Sequence, residues 1–220
     1  RELINNLNKS SFNNKERFII MDNVETLNIV SGSDSTTALG ATDTNTLSTI
    51  TTDATMGTLN LSGSDPLAVT VGASATGMTT INASGMSDVV TITPSNVAAG
   101  LTITGGSAND VFAMTTGLNN GDTIDGGAGT DEVTATITNA TATTGALNIS
   151  NVESMELGNT GTAVLNVAGI TGGTSTAQTS IEINSVAGTA ASTTNVSSRG
   201  IGTDKDVAFK GAGELDNGTT

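Results

Sequence analysis

The chain has 220 residues, of which 35% are hydrophobic and 2% aromatic, with no Cys, His, Trp or Tyr and a formal net charge of −14. That composition excludes disulfides, thiolate metal sites and imidazole chemistry, and it is too lean for a wide globular core. All 7 basic residues lie near the ends (Arg1, Lys9, Lys15, Arg17, Arg199, Lys205, Lys210), so the 181 residues from Phe18 to Ser198 carry 15 acidic side chains and no Lys or Arg. Nothing in that span can neutralise phosphates, which argues against nucleic acid as a partner. Carboxylates crowded without internal cations repel one another, and a bound divalent ion would relieve them. No apolar run approaches the ~18–20 residues of a membrane helix.

Low hydrophobicity with high net charge can mark disorder. Here, however, the apolar residues gather in short Val/Ile/Leu/Thr runs, and Thr is the commonest residue at 41. Both features favour strands. The composition fits a narrow β core of small branched side chains sealed by Gly, Asn, Ser and Asp turns.

Residues 1–17 form a polar, Asn-rich lead-in. Leu3, Ile4 and Leu7 are spaced as on a helix, so a short helix or loop is expected there. Arg1 to Asn6 lack the apolar core of a secretory signal, and the chain reads as a piece of a longer protein. Phe18 to Met21 leads through Asp22-Asn23 into Val24-Glu-Thr-Leu-Asn-Ile-Val30, whose alternation is that of a strand. Residues 18–55 read as the end of a preceding β module. Within them, 31–53 is a Ser/Thr/Asp-rich coil or loop with Leu39, Leu47 and Ile50 as anchors.

From Met56 a repeat emerges. Thr58-Leu-Asn-Leu61 runs into Gly63-Ser-Asp65 and then Leu67 to Val71. Thr80-Ile-Asn-Ala83 runs into Gly85-Met-Ser-Asp88 and then Val89 to Thr93. Leu101 to Thr104 runs into Gly105-Gly-Ser-Ala-Asn-Asp110 and then Val111 to Met114. Asp122-Thr-Ile124 runs into Gly126-Gly-Ala-Gly-Thr-Asp131 and then Val133 to Ile137. The leading glycines are separated by 22, 20 and 21 residues. The sequence thus predicts strand, Gly/Asp turn, strand and connection, four times in register over 56–138.

A fixed period with two strands per repeat is the signature of a β-solenoid, in which each coil buries its apolar face only against its neighbours. An antiparallel sandwich also has short strands and frequent turns, but it does not need aspartates at one phase of the repeat. The expected fold is therefore all-β, a parallel β-solenoid or β-roll with coils of roughly 20–22 residues. Residues 139–198 continue the coils with fading turn chemistry. Asn151-Val-Glu-Ser-Met-Glu-Leu157 matches Asn23-Val-Glu-Thr-Leu-Asn-Ile29 at an offset of 128 residues, as if each closed a series of coils. Residues 199–220 regain basic residues and read as another element or a frayed end.

Gly126-Gly-Ala-Gly-Thr-Asp131-Glu-Val133 resembles the nonapeptide G-G-x-G-x-D-x-U-x of calcium-binding RTX proteins, which wind a parallel β-roll around Ca²⁺. Gly105-Gly-Ser-Ala-Asn-Asp110-Val-Phe112 resembles it too, with Ala108 in place of the third glycine. The resemblance implies Ca²⁺ as the bound ion. It implicates Gly105, Ser107 and Asp110, and Gly126, Ala128 and Asp131, with Asn109, Asp122 and Asp125 as helpers. Asp65 and Asp88 sit in shorter turns and join this set by their place in the repeat; a Gly/Asp turn can equally be a turn alone, with Asp capping backbone amides.

Ser/Thr/Ala/Gly-rich rungs, N-V-E boundary segments and sporadic RTX turns together resemble surface-layer (S-layer) proteins of Gram-negative bacteria over roughly residues 18–190. That resemblance implies a secreted, cell-surface structural protein that assembles with itself, its coils rigidified by Ca²⁺. It implies contact with surface polysaccharide or lipopolysaccharide through another region. The stalk of an RTX adhesin or extracellular fibre shares the texture and is the alternative. An enzyme is disfavoured: the chain offers paired carboxylates such as Asp122/Asp125, but no His, no internal cation and no Tyr or Trp on which a sugar could stack.

Overall fold

Alternating branched residues bounded by Gly, Asn and Asp turns make strands with one apolar face, and a short chain of such strands buries that face most readily by stacking coils. The computed structural model describes residues 2–7, 17–32, 44–95, 100–119, 121–138, 148–160, 164–166, 170–171, 180–185, 195–197 and 207–211. Among these residues there is no helix, and the strands wind as a parallel β-solenoid.

The first half of the chain holds β1 (Glu2–Leu7), β2 (Arg17–Met21), β3 (Thr26–Ser31), β4 (Asn45–Thr52), β5 (Thr58–Gly63), β6 (Leu67–Val71), β7 (Thr80–Met86), β8 (Val90–Pro94) and β9 (Thr102–Thr104). Then come β10 (Val111–Thr115), β11 (Thr123–Asp125), β12 (Glu132–Thr138), β13 (Asn148–Ser150) and β14 (Ser154–Thr160). The last five are β15 (Val164–Asn166), β16 (Ile170–Thr171), β17 (Ser180–Ser185), β18 (Asn195–Ser197) and β19 (Val207–Gly211). One sheet runs β1-β3-β5-β7-β9-β11-β13-β16 and the other β2-β4-β6-β8-β10-β12-β14-β17-β19, while β15 and β18 pair separately. Every pairing is parallel, as consecutive coils require.

The core is two facing columns. In the first sheet Leu27, Leu59, Ile81, Ile103, Ile124 and Ile149 stand in register and are buried. In the second, Leu47, Val69, Ile92, Phe112, Val133 and Met155 do the same. Outward positions of the first sheet align Thr26, Thr58, Thr80, Thr102 and Thr123, a threonine column on the water-facing side. Alternation along each strand does this work: residues two apart share a face.

One expectation is corrected. The lead-in is not a helix where it is described: Glu2–Leu7 is a strand paired with β3 across six residues. A helix that short is marginal, whereas β3 offers a complete set of backbone partners. Of the two readings of 31–53, a weak coil or a loop, the coil holds over its described end: Asn45–Thr52 forms β4 between β2 and β6, with Leu47 and Ile50 buried. Residues 8–16 and 33–43 lie outside the described residues. Both sheets run past residue 55 without a break, β3 to β5 and β4 to β6. Beyond 138 they continue through β13, β14, β16 and β17 to β19, although 139–147, 161–163 and most of 186–220 lie outside the described residues.

Candidate functional site

At the corner where the chain passes from the first sheet to the second, β9 leads to β10 through Gly105–Asp110, β11 to β12 through Gly126–Asp131, and β13 to β14 through Asn151-Val152-Glu153. Register fixes how these turns stack. Thr104, Asp125 and Ser150 are partners, so Gly105, Gly126 and Asn151 follow one another up the stack. Val111, Glu132 and Ser154 are partners, so Asp110, Asp131 and Glu153 do likewise. All three carboxylates are buried.

These side chains form a ladder. Val90 N–H donates to Asp110 Oδ1 at 2.8 Å, Asp110 N–H to Asp131 Oδ1 at 2.7 Å, and Asp131 N–H to Glu153 Oε2 at 2.7 Å. Each carboxylate thus accepts the amide of the preceding coil, where the strand ladder would otherwise stop. Asp110 also closes its own turn, its Oδ2 accepting Gly106 N–H at 2.6 Å. Asp131 does not: Gly127 N–H is turned toward Asp125 Oδ1 at 3.2 Å, with Gly127 at φ 93°. Asp131 Oδ2 is left buried with no hydrogen-bond partner.

The electrostatics follow. Burial pushes the Asp110 carboxyl above the usual range, opposed by the amides of Val90 and Gly106. Burial, followed by the charges of Asp110, Glu153 and Asp125, pushes Asp131 up to about 7, against the pull of the Asp110 amide. A buried oxygen without a donor, ringed by like charges, calls for a proton or a cation.

The sequence-derived site residues separate into three groups. Gly105, Gly126, Asp110 and Asp131 meet at the corner and are buried, with Asp125 half-buried beside them. Ser107, Ala128 and Asn109 are less enclosed: Ser107 N–H donates to the Met86 carbonyl, Ala128 N–H to the Gly106 carbonyl, and Asn109 Oδ1 accepts Thr130 N–H at 2.9 Å. Asp122 is elsewhere, at the far end of β11. Its Oδ1 accepts the amides of Leu101 and Gly100, its Oδ2 that of Asn119, and burial raises its pKa.

Asp65 and Asp88 share a phase with each other but not with Asp110 and Asp131. Leu67 pairs with Val90, which is the rung below Asp110, and Asp65 and Asp88 stand two residues before those positions. Gly63 pairs with Met86, and Gly85 with Ser62. The four-fold register read from the sequence therefore holds for the Gly105 and Gly126 turns and slips in the two before. Counting glycine spacings cannot detect this: the irregularity between Asn60 and Ser62 offsets Gly63 from Gly85, and Gly85 stands two residues past Ala83, the position that aligns with Gly105.

Asn151 and Glu153 were missed as site residues. Their signal was the 22-residue step from Asp131 to Glu153, hidden because this turn is three residues shorter than its neighbours. Their motif partner, Asn23-Val24-Glu25, adopts the same left-handed asparagine (φ 59° against 53°) but leads into the first sheet, and Glu25 is exposed.

The donors at this corner fit a hard oxygen-seeking cation: carboxylates of consecutive coils, backbone carbonyls at glycine positions, and the buried Asp131 Oδ2 without a donor. Asp131, whose Oδ2 has no donor, is the side chain that would hold such an ion, which would neutralise the corner's negative charge, whereas both Asp110 oxygens already accept backbone amides. Among the described residues no three carboxylates stand together as a ready-made cage, so carbonyls would complete the shell. No helix among the described residues is long and apolar enough to cross a membrane. No family model, curated protein or solved structure matches the chain.

Proposed function

We propose that this chain is a structural segment of a secreted, cell-surface layer of the S-layer type, a β-solenoid that assembles with copies of itself and is rigidified by Ca²⁺ between coils. The observation that carries the reading is the stack of buried carboxylates at one corner, with Asp131 Oδ2 lacking a donor and no Lys or Arg between Phe18 and Ser198. An ion neutralising carboxylates of adjacent coils ties those coils together, so folding becomes linked to external calcium. The millimolar affinity typical of extracellular modules would suffice. Growth of a layer would use head-to-tail contacts that do not close.

The test is chelation and re-addition of calcium, followed by circular dichroism, thermal melting and negative-stain imaging. Calcium-dependent stabilisation with sheets or tubes is expected. Isolated rods would favour an adhesin stalk, and indifference of all three readouts to calcium would end the reading.

A further inference from the structure

Stacked turns in a solenoid present the same backbone position once per coil, so a change of residue type within a column marks a change of role. In the first column the sequence goes Gly105, Gly126, Asn151; in the second, Asp110, Asp131, Glu153. Asn151 adopts the left-handed conformation, φ 53°, which L residues rarely enter but asparagine tolerates. Its turn has three residues between strands where the other two have six. Glutamate, one methylene longer than aspartate, still delivers its Oε2 to Asp131 N–H at 2.7 Å. The N-V-E segment is therefore a shortened third member of the acid-turn series.

What it faces distinguishes it further. The unpartnered oxygen of Asp131, a residue only 1% exposed, lies against Gly126. A side chain at Gly126 would run into both the Asn151 carbonyl oxygen and Asp131 Oδ2, the latter at 2.6 Å. Both oxygens thus crowd one glycine, close enough for a single ion with bonds of ~2.3–2.6 Å to touch each. The Asn151 side chain is engaged separately, its Nδ2 donating to Asp125 Oδ1 at 2.6 Å, which fixes the loop that carries the carbonyl.

We propose that Asn151-Val152-Glu153 is a cation-binding turn, supplying the Asn151 carbonyl and the Glu153 carboxylate to a divalent-cation site that Asp131 Oδ2 completes. The inference rests on the reading that the stack binds calcium, and goes beyond it: the glycine-rich nonapeptide contains neither residue, and the site joins that motif to a segment of different sequence. It also ranks the turns. The Asp110 turn is closed by its own Gly106 amide, whereas Asp131 Oδ2 takes no donor from its own turn and lies beside Gly126, against which the Asn151 carbonyl packs.

The experiment is a calcium titration by calorimetry at fixed neutral pH, with terbium luminescence as a second readout, on the full chain and on Glu153→Gln, Asp131→Asn and Asp110→Asn. Glu153→Gln and Asp131→Asn should each weaken the same tightest site by roughly tenfold or more, with Asp110→Asn sparing it. Wild-type calcium binding that Glu153→Gln leaves unchanged overturns this proposal while the calcium reading stands. Absence of calcium binding to the wild type sinks both. If circular dichroism shows that Glu153→Gln has lost its strands, Glu153→Asp takes its place, because it keeps the charge and withdraws it by one methylene. The proposal requires weaker binding there too, and unchanged binding overturns it.

Discussion

Asp131→Asn should stabilise the metal-free protein, which is the reverse of what removing a buried, hydrogen-bonded carboxylate usually does. Asp131 titrates near 7 in the fold and near ~3.9 in an unfolded chain. The folded state therefore holds the proton more tightly, and stability falls as pH rises from ~4 to ~7. Below ~4 both states are protonated and the penalty vanishes; above ~7 it is fully present. About three pH units at ~1.4 kcal/mol each set a ceiling of ~4 kcal/mol. Solvent and salt screening reduce this to ~1–3 kcal/mol. Asparagine keeps the oxygen that accepts Asp110 N–H and places an N–H₂ donor where Oδ2 now has no partner. In excess chelator at about pH 8 the variant should melt higher by ~2–10 °C. At about pH 4 the difference should disappear, and in saturating calcium it should change sign. The assay is a thermal melt followed by circular dichroism under the three conditions. A variant that melts at or below the wild type in chelator at pH 8 would show that the ionised carboxylate stabilises the corner without a cation, and the electrostatic argument would fail.

Gly126→Ala drives a methyl group into the backbone carbonyl of Asn151, which cannot swing away, and should cost more than ~2 kcal/mol in urea melts. Gly32→Ala meets nothing within 4 Å and should stay within ~0.5 kcal/mol; equal effects would mean that the tight coil contact is not real. Phe112→Ala removes the largest fully buried side chain among the described residues, from the column between Ile92 and Val133, and should cost ~3–5 kcal/mol by the same melts. Asp122→Ala strips acceptors from the amides of Gly100, Leu101 and Asn119 and should cost about 2–4 kcal/mol. Amide hydrogen exchange should quicken at those three residues first, and uniform quickening would deny Asp122 a local capping role.

The fold was legible because Ile81, Ile103 and Ile124 recur at nearly constant spacing, each preceded by an outward threonine, and a parallel stack repeats its inward residue once per coil. Glu2–Leu7 escaped because six residues carry both a helical and a strand pattern, and only the neighbouring strand decides between them. Asn45–Thr52 shows only as a weak coil because Ser48 and Thr49 sit at a register irregularity that breaks its alternation. The Asp110 and Asp131 turns were legible from glycine and aspartate at fixed separation. Asp65 and Asp88 showed the limit of that method, since a Gly-to-Asp spacing of two or three residues in place of five keeps the composition while the carboxylate stands two residues before the column. Asp122 and Asp125 are three residues apart in sequence, but the strand between them carries the two to opposite ends.

The length of the acid column is itself a balance that can be argued. Each carboxylate gains a charge-assisted bond from the coil before, worth ~1.5–3 kcal/mol. Each also adds a charge one strand spacing, ~4.8 Å, from the last. At an effective dielectric near 20, that neighbour repels by roughly 3–4 kcal/mol before salt screening. Gain and repulsion are thus of one size, and a column of ionised carboxylates limits itself to a few rungs unless something positive enters it. Toward the chain's start the same column holds Val90 and Leu67, and the carboxylates of those coils stand two residues earlier. Among the described residues, three consecutive acids occur where the middle one retains an oxygen with no donor, so the column extends where a proton or cation would find an unused acceptor. The metal-free ladder is consequently weakest at Asp131, and the coils on either side of it should be the first to part on heating in excess chelator.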